Sequence, residues 1–292
     1  MDGRFRPISS SSAPRSEKLL SLVTASFDDA AGLRATAESI AAQTYQAYQW
    51  LVVDGGSTDG TRNVLRSFEP LLDDWTSEPD EGVYDAMNRG LRRARGEYVM
   101  FLNTGDRLAD ARVLERIVEA LLARPGIDLL FAGTLLHLPT GRRIYRGPRA
   151  PRPWLRFGLP AYHQATVVRR AVHLAAPYDL DLKISADYGA IATMMRRGAG
   201  TARLDRPIVI RDCGPDNLSE RETGTRFRDF VRVQREILER AWPGIAVSLG
   251  RLALVHLAYR MLSRPRPLPL KAVWQWPLSI QHRIILLYRT IY

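Results

Sequence analysis

Apolar and polar positions alternate in blocks along the first part of the chain, and the blocks have the lengths of strands and helices. Short apolar runs indicate buried strands, and segments with helical periodicity indicate amphipathic helices. The predicted order is strand Leu19–Ala25, helix Ala30–Ala42, strand Trp50–Val53, helix Gly60–Leu72, helix Gly82–Ala94 and strand Tyr98–Leu102. Strands separated by helices predict a parallel sheet that binds its ligands at the carboxyl ends of the strands.

The pattern continues beyond this region with less regular spacing. The predicted elements are helix Ala111–Ala123, strand Ile127–Ala132, a hairpin over Leu135–Tyr145, a mobile loop over 147–160, a strand that follows Tyr162, helix Gly189–Arg197, strand Pro207–Arg211 and a charged helix Ser219–Ala241. The loop is rich in proline, arginine and glycine, which is typical of a mobile segment. We place a domain boundary near Asn217.

Polar residues follow three of the predicted strands. They are Thr24–Asp28, Asp54–Gly60 and Asn103–Asp106. Asp59 has the character of a helix cap, whereas Asp54 lies where a carboxylate can meet a ribose or a base. Asp106 follows a glycine at a strand end, where it can face a cation or a phosphate, although Asn-Thr-Gly-Asp is also an ordinary turn.

Charge divides the chain unevenly. The formal net charge is +11, with 39 arginines and 3 lysines, and no acidic residue follows Glu239 although eight basic residues do. This asymmetry indicates a polyanionic partner, either a membrane surface or a nucleic acid. The single cysteine, Cys213, excludes an internal disulfide and a cysteine-based zinc site. Residues 1–17 are expected to be a disordered leader.

The stretches Leu22–Phe27, Val52–Thr61 and Gly82–Asp106 together resemble a family 2 glycosyltransferase with the GT-A fold. The segment Asp80–Gly90 is similar to the bacterial branch that builds exopolysaccharides and cell-envelope glycolipids. The resemblance is close as far as Asp106 and looser to about residue 211. It implies a Rossmann-like α/β domain over 18–217 with a mostly parallel sheet flanked by helices, followed by a helical extension over 218–292.

The resemblance implies an inverting enzyme that moves a hexosyl or deoxyhexosyl group from a UDP- or GDP-sugar to a hydroxyl of a glycan or lipid-linked acceptor. The residues that match donor-binding positions are Thr24 and Phe27 beside the base, Asp54 at the base or ribose, Asp80 near the ribose, and Asp85, Asn88 and Asn103. Asp106 matches the last acid of the Asp-x-Asp-type motif, which holds Mn²⁺ or Mg²⁺ on the diphosphate. Such ions take oxygen ligands and offset charge on the leaving group.

This chain departs from the commoner family pattern at two positions. Many members have a second acid after the position of Asp54, and this chain has Gly55 there. The strand end before Asp106 also keeps only that one carboxylate. Base recognition is therefore open, and so is the choice between a metal-dependent enzyme and a metal-independent variant.

Two further residues are candidates for chemistry. Asp187 matches the acid at the start of a helix that serves the family as general base, although a first-turn acid also stabilises a helix dipole. His163 follows the flexible loop and is expected to touch the acceptor or a phosphate, although a lone histidine is more often structural.

The basic tail over 242–292 combines three tryptophans with apolar residues at helical spacing. Such helices lie in membrane interfaces, so we expect a peripheral enzyme on the cytoplasmic face of the inner membrane. Packing against the catalytic domain and oligomer formation remain alternatives for this tail. Two other functions also remain open: a catalytically inactive nucleotide-sugar-binding homologue, and a basic nucleic-acid-binding protein. The presence of Asp187 favours the enzyme, and the acids at strand ends disfavour nucleic acid.

Overall fold

A computed structural model describes residues 18–213 and 223–239, which form a layered α/β fold. The strands are β1 (Leu20–Ser26), β2 (Tyr48–Asp54), β3 (Asp74–Ser77), β4 (Tyr98–Phe101), β5 (Arg107–Leu108), β6 (Leu129–His137), β7 (Arg143–Arg146), β8 (Thr166–Arg169) and β9 (Thr201–Asp212). The helices are α1 (Ala30–Ala41), α2 (Thr61–Ser67), α3 (Val83–Arg93), α4 (Val113–Leu122), α5 (Pro151–Trp154), α6 (Arg170–Leu174), α7 (Ala186–Arg196) and α8 (Thr223–Arg232).

All strands of the described residues belong to one sheet with the order β3-β2-β1-β4-β8-β6-β9-β5, and β7 pairs with β6 outside this path. The longest ladders, β1 with β2 and β6 with β9, are parallel, whereas β8 runs antiparallel to both β4 and β6. Because β8 reverses direction between β4 and β6, those two strands point the same way. The carboxyl ends of β1, β2, β4, β6 and β9 therefore share one edge with the starts of β7 and β8. We call it the carboxyl edge.

Both faces of the sheet are buried, as the alternation within β1 illustrates. Leu22 packs into a cluster beneath α1, α2 and α4, whereas Val23 packs into a second cluster with α3, α6, α7 and α8. This arrangement explains the nearly continuous apolar strands in the sequence, since a sheet that is covered on both faces needs apolar side chains at successive positions. The predicted α/β class and mostly parallel sheet are confirmed.

Several predicted elements need correction. The helix predicted over Gly60–Leu72 ends at Ser67 and is followed by a 3₁₀ turn, Glu69–Leu71. The segment predicted as a mobile loop, 147–160, contains α5 and the 3₁₀ turn Leu155–Phe157. The last strand, β9 (Thr201–Asp212), is longer than the predicted strand Pro207–Arg211. Its first half carries exposed arginines and an exposed aspartate, so the sequence shows no clear alternation of apolar and polar residues there.

The C-terminal part of the described chain packs against α7 on one face of the sheet. Helix α8 continues into a π-helical turn, Val233–Ile237, so the helix predicted to reach Ala241 ends earlier. Phe230 and Val233 are buried in the same cluster as α7. The leader, the predicted boundary near Asn217 and the basic tail lie outside the described residues, and those predictions stay predictions. Within residues 18–213 and 223–239, no helix has the length and apolar content that crossing a bilayer requires.

Candidate active site

Asp54, the last residue of β2, organises the loop that follows it. Its side chain is fully buried and accepts hydrogen bonds from the Ser57 amide at 3.0 Å, from the Ser57 hydroxyl, and from the Ser77 hydroxyl at 2.5 Å. The Ser57 hydroxyl in turn accepts a bond from the Asp28 amide at 2.8 Å. The carboxylate thus ties the ends of β1, β2 and β3 together. Its predicted contact with the base or ribose stays a prediction, since three protein groups already hold it.

Gly55 lies beneath an aromatic ring and a carboxylate. A side-chain carbon on Gly55 would lie 2.8 Å from Asp80 Oδ2 and 3.1 Å from Phe27 Cδ2. The Asp80 carboxylate therefore occupies the space that a second acid would need, which gives a physical reason for glycine here. The Phe27 side chain is 65% exposed. An exposed ring beside a carboxylate offers a stacking surface for a base and an acceptor for a ribose hydroxyl.

Thr24 and Asn88, two of the predicted donor contacts, face the protein interior. The Thr24 hydroxyl accepts a hydrogen bond from the Trp50 indole at 3.1 Å. The Asn88 amide exchanges two bonds with the Tyr178 backbone, at 2.9 and 3.0 Å. Because these polar groups already have protein partners, they support the site from behind. The structure does not favour their direct contact with the donor.

Asp85 and Asn103 lie nearer the carboxyl edge. Asp85, in the first turn of α3, forms an ion pair with Arg89 at 2.7 Å and accepts a bond from the Glu81 amide at 3.2 Å. The Asn103 amide donates to Met87 Sδ at 3.7 Å. Its Oδ1 is buried and has no hydrogen-bond partner among the described residues. Asn103 therefore has a buried oxygen that a ligand could engage.

Asp106 is held at the carboxyl edge by its own backbone. Its amide donates to the Asn103 carbonyl at 3.0 Å, and its carbonyl accepts from the Thr36 hydroxyl at 2.8 Å. Gly105, with φ of +88°, supplies the left-handed conformation that this turn requires. The side chain plays no part in these contacts, so it is available for another partner.

The surroundings of the Asp106 carboxylate are mixed in charge. Burial raises the pKa of Asp106, whereas the nearby charges of Arg211 and His163 and a hydrogen bond from Gln164 oppose that rise. The residue is only 7% exposed. Burial disfavours the charge of this carboxylate, so a ligand that brings a cation would stabilise it.

His163 and Gln164, adjacent in sequence, reach the two predicted acids separately. They lie on a 3₁₀ turn that leads into β8. Gln164 lies close enough to Asp106 to lower the pKa of that carboxyl group, while His163 Nδ1 lies 3.2 Å from Asp187 Oδ2. His163 Nε2 and Gln164 Oε1 are buried and have no hydrogen-bond partner in the described part of the chain. The turn thus joins Asp106 to Asp187 and leaves two buried polar atoms for a ligand.

Asp187 lies in the first turn of α7, and its side chain is 13% exposed. Its Oδ1 accepts a bond from the Tyr188 amide at 2.7 Å. The Tyr84 hydroxyl, which lies 2.8 Å from the Ile184 carbonyl oxygen, is also 3.4 Å from Asp187 Oδ1. Burial, followed by the charge of Asp187, raises the pKa of Tyr84 well above its usual value, so this phenol stays protonated. The carboxylate is therefore fixed in orientation and retains access to the edge.

Asp229, from α8, fixes the backbone on which Asp187 is carried. Its Oδ2 accepts hydrogen bonds from the Ile184 amide at 2.7 Å and the Ser185 amide at 3.1 Å. Asp229 is 6% exposed. Backbone amides at a helix start need such an acceptor, and this one comes from 44 residues away in sequence.

We expect Asp229→Ala to lower turnover without changing donor affinity, because it frees the start of α7 while leaving the donor loops intact. It should also lower the free energy of unfolding by about 1–3 kcal/mol, the cost of unpaired buried donors. Denaturant unfolding and separate kcat and KM measurements check both effects. Glu236→Ala is the matched control, since it breaks only an exposed pair with Arg232. Equal losses in the two variants would contradict the positioning role.

The residues around Asp106 fit a hard cation only in part. One carboxylate and the buried oxygens of Asn103 and Gln164 are ligands of the kind that Mg²⁺ and Mn²⁺ take. Residues 18–213 and 223–239 contain no cluster of three or more metal-binding side chains. A cation here would therefore depend on oxygens of a bound ligand for its remaining ligands.

Sequence patterns did not point to Gln164, Arg211, Tyr84 or Asp229. Gln164 follows His163 directly, so a polar pair before a buried strand was the available signal. Asp229 and Tyr84 act across long sequence separations, and only the packing of α3, α7 and α8 brings them to the site.

Comparisons with known proteins agree with this geometry. Residues 21–175 match the family model of glycosyl transferase family 2. An uncharacterized glycosyltransferase of Mycobacterium tuberculosis is 36% identical over 73% of this chain and 82% of its own. A PGL/p-HBAD biosynthesis glycosyltransferase of the same species is 32% identical over 58% of this chain and 67% of its own.

A mannosyltransferase of Pyrobaculum calidifontis, solved with GDP-Man and Mn²⁺, has a similar fold. Its TM-score is 0.60 at 18% identity, over 84% of this chain and 72% of that one. The family match spans more than half of the sequence. The chain belongs to glycosyl transferase family 2.

Proposed function

We propose that this protein is an inverting glycosyltransferase of cell-envelope glycan or glycolipid synthesis. It would move a hexosyl or deoxyhexosyl group from a UDP- or GDP-sugar to a hydroxyl of a glycan or lipid-linked acceptor. One observation carries the proposal: His163 lies 3.2 Å from Asp187 and, with its neighbour Gln164, also influences Asp106, so both acids lie beside one turn at the edge of the sheet. The envelope role is supported by the similarity to the mycobacterial PGL/p-HBAD enzyme.

Asp187 is the proposed general base. Its carboxylate accepts the proton of the acceptor hydroxyl as the acceptor oxygen bonds to the anomeric carbon. The bond between that carbon and the diphosphate oxygen breaks on the opposite face, so the configuration inverts. The 2.7 Å bond from the Tyr188 amide and the contact with His163 hold the carboxylate in one orientation during this step.

His163 is the proposed contact to the acceptor or to a phosphate. With Nδ1 donating to Asp187, its buried Nε2 is the atom that faces a ligand. The ring also contributes to the electrostatic environment of Asp106. His163 would thus couple the base to the diphosphate side of the site.

The donor diphosphate is proposed to bind at Asp106, with Asn103 and Gln164 as supporting oxygen ligands of a divalent cation. When bound, Mn²⁺ or Mg²⁺ would offset the charge that gathers on the departing nucleoside diphosphate. Phe27 and Asp80 would receive the base and ribose. The mannosyltransferase bound to GDP-Man and Mn²⁺ supports a donor and cation of this class.

The cytoplasmic face of the inner membrane is the proposed location, with the basic tail over 242–292 attached peripherally. Its composition of tryptophans and basic residues without acids supports this placement. An inactive nucleotide-sugar-binding homologue would keep the donor side without needing Asp187. The ordered contacts around Asp187 favour the active enzyme.

Thermal unfolding of the purified protein with UDP- and GDP-sugars, with and without Mn²⁺, tests the donor assignment. Ligand at about 100 times its Kd stabilises the native state by about 2.7 kcal/mol, so the true donor should raise Tm by several degrees. The rise should require Mn²⁺. If no nucleotide-sugar raises Tm under either condition, the proposal fails.

A further inference from the structure

The stretch between Asp128 and Asp179 contains eight arginines and no acidic residue. Six of these arginines lie on or beside β7 and α5, and we call them the arginine rim: Arg142, Arg143, Arg146, Arg149, Arg152 and Arg156. The remaining two precede or begin α6, and one of them, Arg169, forms ion pairs with Glu97 and Asp128. The rim therefore concentrates positive charge on one segment of the folded domain.

The rim begins at the carboxyl edge. The hairpin between β6 and β7 projects from this edge, because His137 pairs with Arg143 in register. Arg142, Arg143, Arg152 and Arg156 are exposed. Positive charge thus surrounds the mouth of the proposed active site on the side of β7 and α5.

Four arginines of the rim have no carboxylate beside them within the part of the chain that the structure describes. Among the described residues, no acid lies within ion-pair distance of Arg142, Arg143, Arg146 or Arg152. Several surface arginines elsewhere in this domain do have an acidic partner; Arg116, for example, pairs with Asp110 at 2.8 Å. Four arginines without an acidic partner on one exposed segment indicate an anionic partner outside the chain.

Aromatic rings position two arginines of the rim, Arg146 and Arg149, and also Arg211 on β9. The guanidinium carbons of Arg146 and Arg211 lie 4.6 and 5.2 Å from the centre of the Tyr162 ring, next to His163. The Arg149 guanidinium lies 5.1 Å from the Trp154 ring. Guanidinium groups held over rings are ordered before binding, and they match the geometry of phosphate oxygens.

The segment is rigidly joined to the helices behind the site. The Tyr188 hydroxyl donates to the Leu155 carbonyl at 2.6 Å, and the Gln234 amide donates to the Arg156 carbonyl at 3.2 Å. Trp154 and Phe157 pack edge to face, with ring centres 5.9 Å apart. The rim, an aromatic pair and the α7 helix that carries Asp187 are therefore one packed unit.

We propose that the arginine rim is a second membrane-contact surface, which binds anionic phospholipid headgroups and turns the carboxyl edge towards the bilayer. The extended, exposed arrangement fits a charged surface better than a single small ligand. Trp154 and Phe157 add the aromatic character that prefers headgroup depth. The inference rests on the proposed lipid-facing function, but it does not depend on the tail over 242–292.

A single-site fluorescent label separates the rim from the tail. Cys213 is the only cysteine, so full-length protein with Cys213→Ser accepts an environment-sensitive probe at Pro153→Cys, within the exposed rim segment. Ala123→Cys, exposed at the opposite end of the sheet, is the matched control. Vesicles of phosphatidylcholine with 30% phosphatidylglycerol, in the range where anionic headgroups attract basic residues, should shift the emission at position 153 to the blue and leave position 123 unchanged. Pure phosphatidylcholine vesicles should shift neither label.

Charge variants measure the strength of the contact. Replacing Arg142, Arg143 and Arg152 by glutamine should reduce the partition onto anionic vesicles by about fivefold per arginine. The same change at Arg66, Arg92 and Arg95, which are exposed near the starts of β3 and β4, should reduce it much less. Co-sedimentation of unlabelled full-length protein gives these values.

The outcomes distinguish the rim from the membrane part of the proposed function. If full-length protein ignores anionic vesicles even at low salt, both fail. If it sediments with them while the label at position 153 stays silent, the tail alone attaches the enzyme and the rim proposal is overturned. A response of that label to single-stranded RNA but not to vesicles would likewise overturn it.

Discussion

Replacing Asp187 by asparagine is expected to lower turnover by about 10²-fold or more, the scale of a lost general base. Asparagine keeps the size of the side chain and can still accept the hydrogen bond from the Tyr188 amide, so the start of α7 should keep its shape. The amide cannot take a proton from the acceptor. Donor affinity should barely change, because the role proposed for Asp187 is contact with the acceptor hydroxyl and not with the donor.

Asp181→Asn is the matched control for this variant. Asp181 precedes α7 in the same segment, and its side chain is 81% exposed. Its replacement should leave turnover near the wild-type value. Near-normal turnover of Asp187→Asn would reduce Asp187 to an acid that stabilises the helix start.

Replacing Asp106 by alanine is expected to abolish transfer and the Mn²⁺ dependence of donor binding. The backbone of Asp106, not its side chain, makes the turn contacts with Asn103 and Thr36, so the fold should survive. Burial already raises the pKa of this carboxyl group, which means that the fold gains little from its charge. Calorimetric titration of donor with and without Mn²⁺ measures the loss.

Asp110→Ala provides the control for the metal assignment. Asp110 lies four residues further along the chain and pairs with Arg116 at the surface. Its loss should leave Mn²⁺-dependent donor binding intact and cost no more than about 1 kcal/mol of stability. An Asp106→Ala protein that binds donor with unchanged Mn²⁺ dependence would show that the cation assignment is wrong.

The first half of the fold could be predicted because short stretches of sequence are enough to indicate its strands and helices. The apolar run from Leu20 needs no distant partner to be recognised, and Asp29 caps α1 within three residues. Strand β3 was missed because Asp74–Ser77 is short and only partly buried at the edge of the sheet. The Asp187 helix was predicted three residues late, since the start of α7 is set by Asp229 from a distant helix.

The roles of individual donor residues were harder to predict than their positions. Asp54 and Asn88 match donor-binding positions by sequence, and in this fold their polar groups bind Ser57 and the Tyr178 backbone, so their contacts with a donor stay predictions. Sequence spacing reports which strand end a residue follows. It does not show whether the side chain already forms hydrogen bonds with other groups of the protein.

Gly55 illustrates the converse case. From the sequence it was a missing acid, which left base recognition open. In the structure the Asp80 carboxylate fills the space above it, 2.8 Å from where a side-chain carbon would lie. The close approach of Asp80 to Gly55 comes from the packing of two loops, which no pattern along the chain could reveal.

The most direct measurement is transfer itself, followed by mass spectrometry and by NMR of the anomeric centre. Full-length protein is incubated with Mn²⁺, each UDP- or GDP-sugar that raises its Tm, and an envelope lipid or glycan extract. We expect wild type and Asp181→Asn to release the nucleoside diphosphate and form a product one sugar heavier, with inverted configuration, while Asp187→Asn binds the donor and forms almost none. Retained configuration, or full activity in Asp187→Asn, would contradict a single-displacement enzyme that uses Asp187 as its base.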